Sequence, residues 1–241
     1  VLVLGLAIAG FLVFDKTGQS GGVTHTGIAA ATTPAAIAAR GEQELAALTT
    51  SEEAFRAPGV GRLKQVTARR PITAEQTVLP VLNAAFRDGT EWLRVRLPGR
   101  PNGETGWIHQ TGTKLEYTPW RIVVNTEKRR VYAYDGRRLM RTFRGVFAAP
   151  ATPTPKGDFF VEETVAMSQS AVGYPYALAL SARSNVYQEF DGGPGQIALH
   201  GLGNVGGTIG TAVSHGCIRL ATPDITWLAR HIDPGVPVTI S

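Results

Sequence analysis

The chain holds one cysteine, Cys217, in 241 residues, so no internal disulfide forms and a bridge-stapled scaffold is excluded. No paired histidines or carboxylates stand at ligand spacing, so neither a metal nor a cofactor is expected. Charged residues are few, at 18% against 43% hydrophobic, which excludes a disordered chain. The net charge is +5, yet no lysine- or arginine-rich run with interleaved aromatics occurs, and nucleic acid is not an expected partner. Long apolar runs are absent too. The uncharged stretch 1–14 falls short of the ~20 residues that span a bilayer but matches the core of a signal segment.

What is present is concentrated between His200 and Leu220, H-G-L-G-N-V-G-G-T-I-G-T-A-V-S-H-G-C-I-R-L. A cysteine is the strongest neutral-pH nucleophile among side chains once an imidazole takes its proton. Histidine is available twice. His215 lies two residues before Cys217, where the side chains share a side but diverge. His200 ends the apolar run Gln196-Ile197-Ala198-Leu199, which reads as a buried strand, and the glycine loop folds it back toward Cys217. A lone cysteine is more often a small buried hydrophobe. Three features weigh against that here: Gly216, which lets another backbone approach, the polar pair Ser214-His215 where a buried strand is apolar, and the upstream His200.

These residues resemble the catalytic motif of the bacterial L,D-transpeptidases of YkuD type, a histidine, a glycine-rich loop and then S/T-H-G-C. Here that is His200 followed by Ser214-His215-Gly216-Cys217. A second block, Ala151-Thr152-Pro153-Thr154-Pro155-Lys156-Gly157-Asp158-Phe159, resembles the T-P-T-P-x-G-x-F segment of the same family. The loop from His200 to Ser214 is short for the family, and Arg219 stands where some members carry asparagine.

Two further segments frame the domain layout. Residues 1–14 are expected to be a signal or membrane anchor, and the Ala/Gly/Thr-rich 15–57 a tether, with a helix over Ala35 to Leu48 from its alanine and glutamate content. From 58 to 116, short alternating runs separated by Asp88-Gly89, Pro98-Gly99 and Asn102-Gly103 predict a small antiparallel barrel. Ending in Gly106-Trp107-Ile108, it resembles a bacterial SH3-like domain. Residues 117–241 form the β-rich catalytic domain, with strands at Arg121–Asn125, Arg130–Tyr134, Leu139–Ala148, Gly157–Glu163 and Tyr176–Ser181. A helix follows, capped by Thr222 with Pro223 in its first turn, and Val236–Ile240 is the closing strand. The fold class is thus mostly β with few helices: an SH3-like barrel followed by a YkuD-like domain. His25, His109 and His231 read as structural or solvated. Tyr174, Tyr176 and Tyr187 are candidates for a substrate groove and equally for core aromatics. The arginines at 129, 130, 137 and 138 read as solvated turns rather than a polyanion site.

The resemblance implies an exported cell-envelope enzyme, for which the basic balance suits work among anionic wall polymers. Cys217 attacks the carbonyl preceding the terminal D-alanine of a peptidoglycan tetrapeptide stem, with His200 as base and then acid. Backbone N–H groups of His215, Gly216 and Cys217 hold the oxyanion. Gly201, by its carbonyl, or His215 orients the base, and Arg219 with Gly201 contacts substrate. A stem amine then resolves the thioester into a 3→3 crosslink. β-Lactam acylation of Cys217, by carbapenems above all, is expected from the family. Two rivals remain open: an L,D-carboxypeptidase, in which water takes the place of the amine, and a non-catalytic wall-binding protein.

Overall fold

A computed structural model describes residues 41–190 and 192–241 of the chain. The expected anchor 1–14 and the tether up to residue 40 lie outside the described residues. Alternating apolar residues form two sheets, each with its own core.

The first sheet runs in the spatial order β3-β2-β6-β5-β4-β1-β7. Its strands are β1 (Gln43–Leu48), β2 (Glu52–Ala57), β3 (Val60–Val66), β4 (Val78–Arg87), β5 (Thr90–Arg96), β6 (Thr105–His109) and β7 (Thr113–Thr118). Every pairing is antiparallel. Asp88 and Gly89, both at positive φ, close the tight β4–β5 hairpin. The module therefore begins at Gln43 and not at residue 58, and the end of the expected tether belongs to it. The helix expected over 35–48 is corrected in its described part: Ala46, Ala47 and Leu48 are buried in β1, which pairs with β4 on one edge and β7 on the other. Burial between two strands outweighs a helix propensity worth only tenths of a kcal/mol per residue, up to about 0.7.

The second sheet comprises β8 (Trp120–Asn125), β9 (Arg130–Asp135), β10 (Arg138–Ala148), β11 (Gly157–Ala166), β12 (Tyr176–Arg183), β13 (Gln196–Gly201), β14 (Ala212–Ser214), β15 (Ile218–Leu220) and β16 (Pro237–Ile240). Its order is β14-β10-β15-β13-β12-β11-β16-β8-β9, and β9 pairs back onto β10, so the sheet closes into a barrel. Helix α1 (Thr222–His231) sends Ile225 and Leu228 into the barrel core. Its cap is Ala221, one residue before the expected Thr222, and makes no side-chain hydrogen bond; Pro223 still sits in the first turn, where a missing N–H is harmless. His231 stacks on Trp227 at 4.1 Å and meets the Trp227 carbonyl at 2.7 Å, a structural role.

The two modules share a seam along β11. Phe159 and Val161 face the barrel core, while Phe160 between them plugs the core of the first sheet. Beside it the buried Glu162 carboxylate pairs with Arg70 of the first module and, at 3.0 Å, with Arg183 of β12. Glu163 accepts hydrogen bonds at 3.0 Å from the Thr73 hydroxyl and amide. Burial of Arg183, with the like charge of Arg100 next in weight, pushes its pKa down to about 10.

Candidate active site

The site is built where two parallel strands lie side by side. β13 pairs in parallel with β15, placing His200 opposite Arg219 and Leu199 opposite Ile218. Side chains alternate across a strand. Ile197 and Leu199 therefore enter the barrel core, and Gln196, Ala198 and His200 face the other way. On β15 the same alternation buries Ile218 and Leu220 in the core and turns Arg219 outward, with Cys217 just ahead of the strand. Cys217, His200, His215, Arg219, Tyr187 and Phe190 line one pocket.

The turn that carries Cys217 is held from beneath. The Ser214 hydroxyl, fully buried, donates to the Cys217 carbonyl and accepts the Gly216 N–H at 3.4 Å. Gly216 has φ +127, and a Cβ there would lie 2.9 Å from Ile197, so the position demands glycine. The loop of the T-P-T-P block forms the floor: Thr152 Oγ1 donates to the Ser214 carbonyl at 3.1 Å, and Thr154 Oγ1 to the Gly216 carbonyl at 2.8 Å. Both threonines are buried. The alternating hydroxyls are visible in the sequence, but nothing in their spacing names the loop they support. Ser214, expected with the catalytic group, is thus a brace, and the Gly216 amide is turned toward it rather than into the pocket.

His200 is set by its own strand. Its Nδ1 lies 2.8 Å from the Gly201 carbonyl, an acceptor, so Nδ1 carries the proton and Nε2 is left with its lone pair. Of the two orienting groups expected, the carbonyl is the one in place. Gly201 itself is buried, with the Tyr174 carbonyl 2.0 Å from where a Cβ would stand. It is absent from the pocket lining, and its carbonyl orients the His200 ring. Burial holds the His200 pKa below its ordinary value; the Gly201 carbonyl opposes this, and the Arg219 charge adds to it. Burial raises the Cys217 pKa against smaller opposing effects of the Ala198 backbone and Arg219. Both shifts favour the uncharged forms of the two groups, and the Cys217 thiol donates to the Gln196 carbonyl at 3.9 Å.

Arg219 is buried, donates from Nη1 to the Gly206 carbonyl and leaves Nε without a partner. A guanidinium facing a pocket with donors to spare fits an incoming carboxylate. His215 is exposed on the rim, its ring 6.0 Å from Tyr187 and 5.6 Å from Phe190. Tyr187 therefore belongs to the pocket wall, whereas Tyr176 packs on the barrel core. Phe190 went unread in the sequence, and the T-P-T-P block does not reveal the bracing role of its two threonines.

A family model for the L,D-transpeptidase catalytic domain matches residues 119–240. Two relatives are each named "Putative L,D-transpeptidase YkuD". The chain is 32% identical to that of Bacillus licheniformis over 124 residues, which cover 51% of this chain and 66% of the relative. It is 30% identical to that of Bacillus subtilis over 162 residues, 66% of this chain and 90% of the relative. Among solved structures, an L,D-transpeptidase from Mycobacterium smegmatis is 16% identical with a TM-score of 0.39, covering 68% of this chain and 99% of that one. A similarity that distant adds nothing about the chemistry.

Proposed function

Since the chain belongs to the family of L,D-transpeptidase catalytic domains, we propose that it acts in the cell envelope as a cysteine acyltransferase that joins peptidoglycan stems by 3→3 crosslinks. The observation that carries this reading is the convergence of Cys217, His200 and Arg219 on one pocket, with His200 Nε2 left to accept a proton.

In the acylation step, His200 Nε2 takes the Cys217 proton as sulfur adds to the donor carbonyl. The His215 and Cys217 amides are the donors left for the oxyanion, each worth about 10²–10³ in rate. Collapse of the adduct breaks the C–N bond, and His200 returns the proton to the departing D-alanine amine. An acceptor amine then adds to the thioester, gives its proton to His200 and displaces the sulfur, which is reprotonated. Arg219 holds a stem carboxylate beside the scissile bond. The same thiol opens carbapenem rings, leaving a covalent acyl adduct. The sheet 43–118 serves as the SH3-like companion domain, a reading supported by its short antiparallel strands and tight turns.

The test is mass spectrometry of a disaccharide-tetrapeptide incubated with the full chain. A dimer lighter by one D-alanine than two monomers is the expected product, and it is absent with Cys217→Ala. Tripeptide without dimer would replace crosslinking by hydrolysis. Unchanged substrate, with Cys217 reduced, would leave wall binding as the activity.

A further inference from the structure

The wall of the pocket is not held by the barrel alone. Tyr187 and Phe190, which face His215, lie on the strap between β12 and β13. The neck of this strap is closed by the Ser184 amide donating to the Gly195 carbonyl at 2.7 Å. Its outer edge is gripped by the first module. Arg100 Nη2 donates to the Tyr187 carbonyl at 3.0 Å and reaches the Pro194 carbonyl at 3.5 Å. Asn102 makes a two-way clasp at the start of the strap. Its amide donates to the Arg183 carbonyl at 2.7 Å and to Asn185 Oδ1 at 3.2 Å, and its Oδ1 accepts the Arg183 N–H at 2.8 Å.

Arg100 and Asn102 sit in the β5–β6 loop, and that loop is itself tied to β3. Lys64 Nζ donates to the Arg100 carbonyl at 2.7 Å and pairs with Glu104. A continuous path thus runs from the first sheet through Lys64 and Arg100 to the backbone of the residue whose ring lines the pocket. Arg100 holds this place beside Arg183, whose charge it opposes.

We propose that Arg100, aided by Asn102, is a positioning residue through which the first module sets the donor-binding wall of the pocket. The inference rests on the reading of Cys217 as the acylated nucleophile. It deepens that reading: selectivity for a bulky stem peptide depends on a residue outside the catalytic domain. Arg100 touches no reacting atom, so its loss changes how a large donor is seated and leaves the thiol as reactive as before.

Arg100→Ala and Arg100→Lys in the full chain test this with two independent readouts. Hydrogen exchange reports the strap directly. Arg100→Ala is expected to speed exchange in peptides covering Val186 to Phe190 by about tenfold, with the barrel strands unchanged. Kinetics report the consequence. KM for the tetrapeptide donor is expected to rise by about fivefold with kcat nearly constant, and Arg100→Lys to recover part of the loss. Alkylation of Cys217 by iodoacetamide, too small to need the wall, is expected to stay at the wild-type rate. Unchanged exchange in the strap overturns the proposal whatever the kinetics. So does an alkylation rate that falls in step with donor turnover, which would mean general damage to the site. Wild-type protein that consumes no donor sinks the functional reading instead, and the exchange experiment still decides whether Arg100 holds the strap.

Discussion

The two sheets are built from similar strands, and the pocket that holds Cys217 and His200 is lined by the second. In the first, every pairing is antiparallel and tight hairpins such as Asp88-Gly89 join neighbours, so the backbone is consumed in ladders. Its histidine, His109, ends packed on Trp92 at 4.0 Å and 3.6 Å from Glu52. In the barrel, β13 and β15 run parallel as neighbours, and parallel neighbours cannot be joined by a tight turn. The chain from Leu202 to Cys217 must therefore leave β13, and it adds the short strand β14 beside β10 before it returns as β15. That crossover holds the Gly206 carbonyl that engages Arg219, the exposed His215 and the braced turn of Cys217. The candidate site sits where strand order forces the chain to leave β13.

Breaking the barrel side of this comparison has the largest effect. His200→Ala removes the proton acceptor and is expected to lower turnover by about 10²–10⁴-fold. His109→Ala and His231→Ala are expected to leave it within twofold of wild type, by the same donor assay. A His109 variant as slow as the His200 variant would erase the distinction between the two sheets.

The seam gives the next largest effect. Glu162→Ala leaves Arg70 and Arg183 buried without their shared carboxylate, and such a loss costs about 3–5 kcal/mol. Chemical denaturation is expected to show a much lower midpoint. Glu53→Ala, which breaks the exposed pair with Arg62, is expected to leave the midpoint in place. If the two behaved alike, Glu162 would not be the link between modules.

Thr154→Val is subtler. It keeps the shape but strips the buried Gly216 carbonyl of its donor, at about 1–3 kcal/mol. Turnover is expected to fall further than stability suggests, because the carbonyl belongs to the turn that aims Cys217. Thr126→Val, at an exposed hydroxyl on the Ser241 carbonyl, serves as the control with no change in turnover.

Strands with clean alternation are legible, as are the helix after Cys217 and the candidacy of His200 and Cys217, which line one pocket, because periodicity and residue chemistry are local properties. β1 is not: Glu44 to Leu48 has a helix-forming composition, and only the partners β4 and β7 make it a strand. Nor is β15, three residues whose identity as a strand depends on β10 and β13. At the site the same division holds. The thiol and imidazole announce themselves by type, whereas Ser214, Thr152 and Thr154 act through backbone carbonyls that any sequence possesses. Arg100 was invisible for the same reason, since its partner is the carbonyl of Tyr187.

The protonation of the pair yields the finest prediction. His200 lies below its ordinary 6.5 and Cys217 above its ordinary 9.0, both chiefly through burial. For the histidine, the unfolded chain binds a proton that the folded chain resists. The stability from its neutral form is therefore complete above pH 6.5 and declines as pH falls below it. For the cysteine, the folded chain keeps a proton that the unfolded chain loses, so its contribution is complete below pH 9.0 and declines above. Between these limits the site places no pH dependence on folding. The chemistry follows the same logic. The acid limb of kcat/KM is expected below pH 6.5, and iodoacetamide alkylation of the substrate-free protein is expected to climb through pH 9 without a neutral plateau. A plateau reached by pH 6 would mean a thiolate–imidazolium pair, with His200 charged at rest and unable to act as the first base.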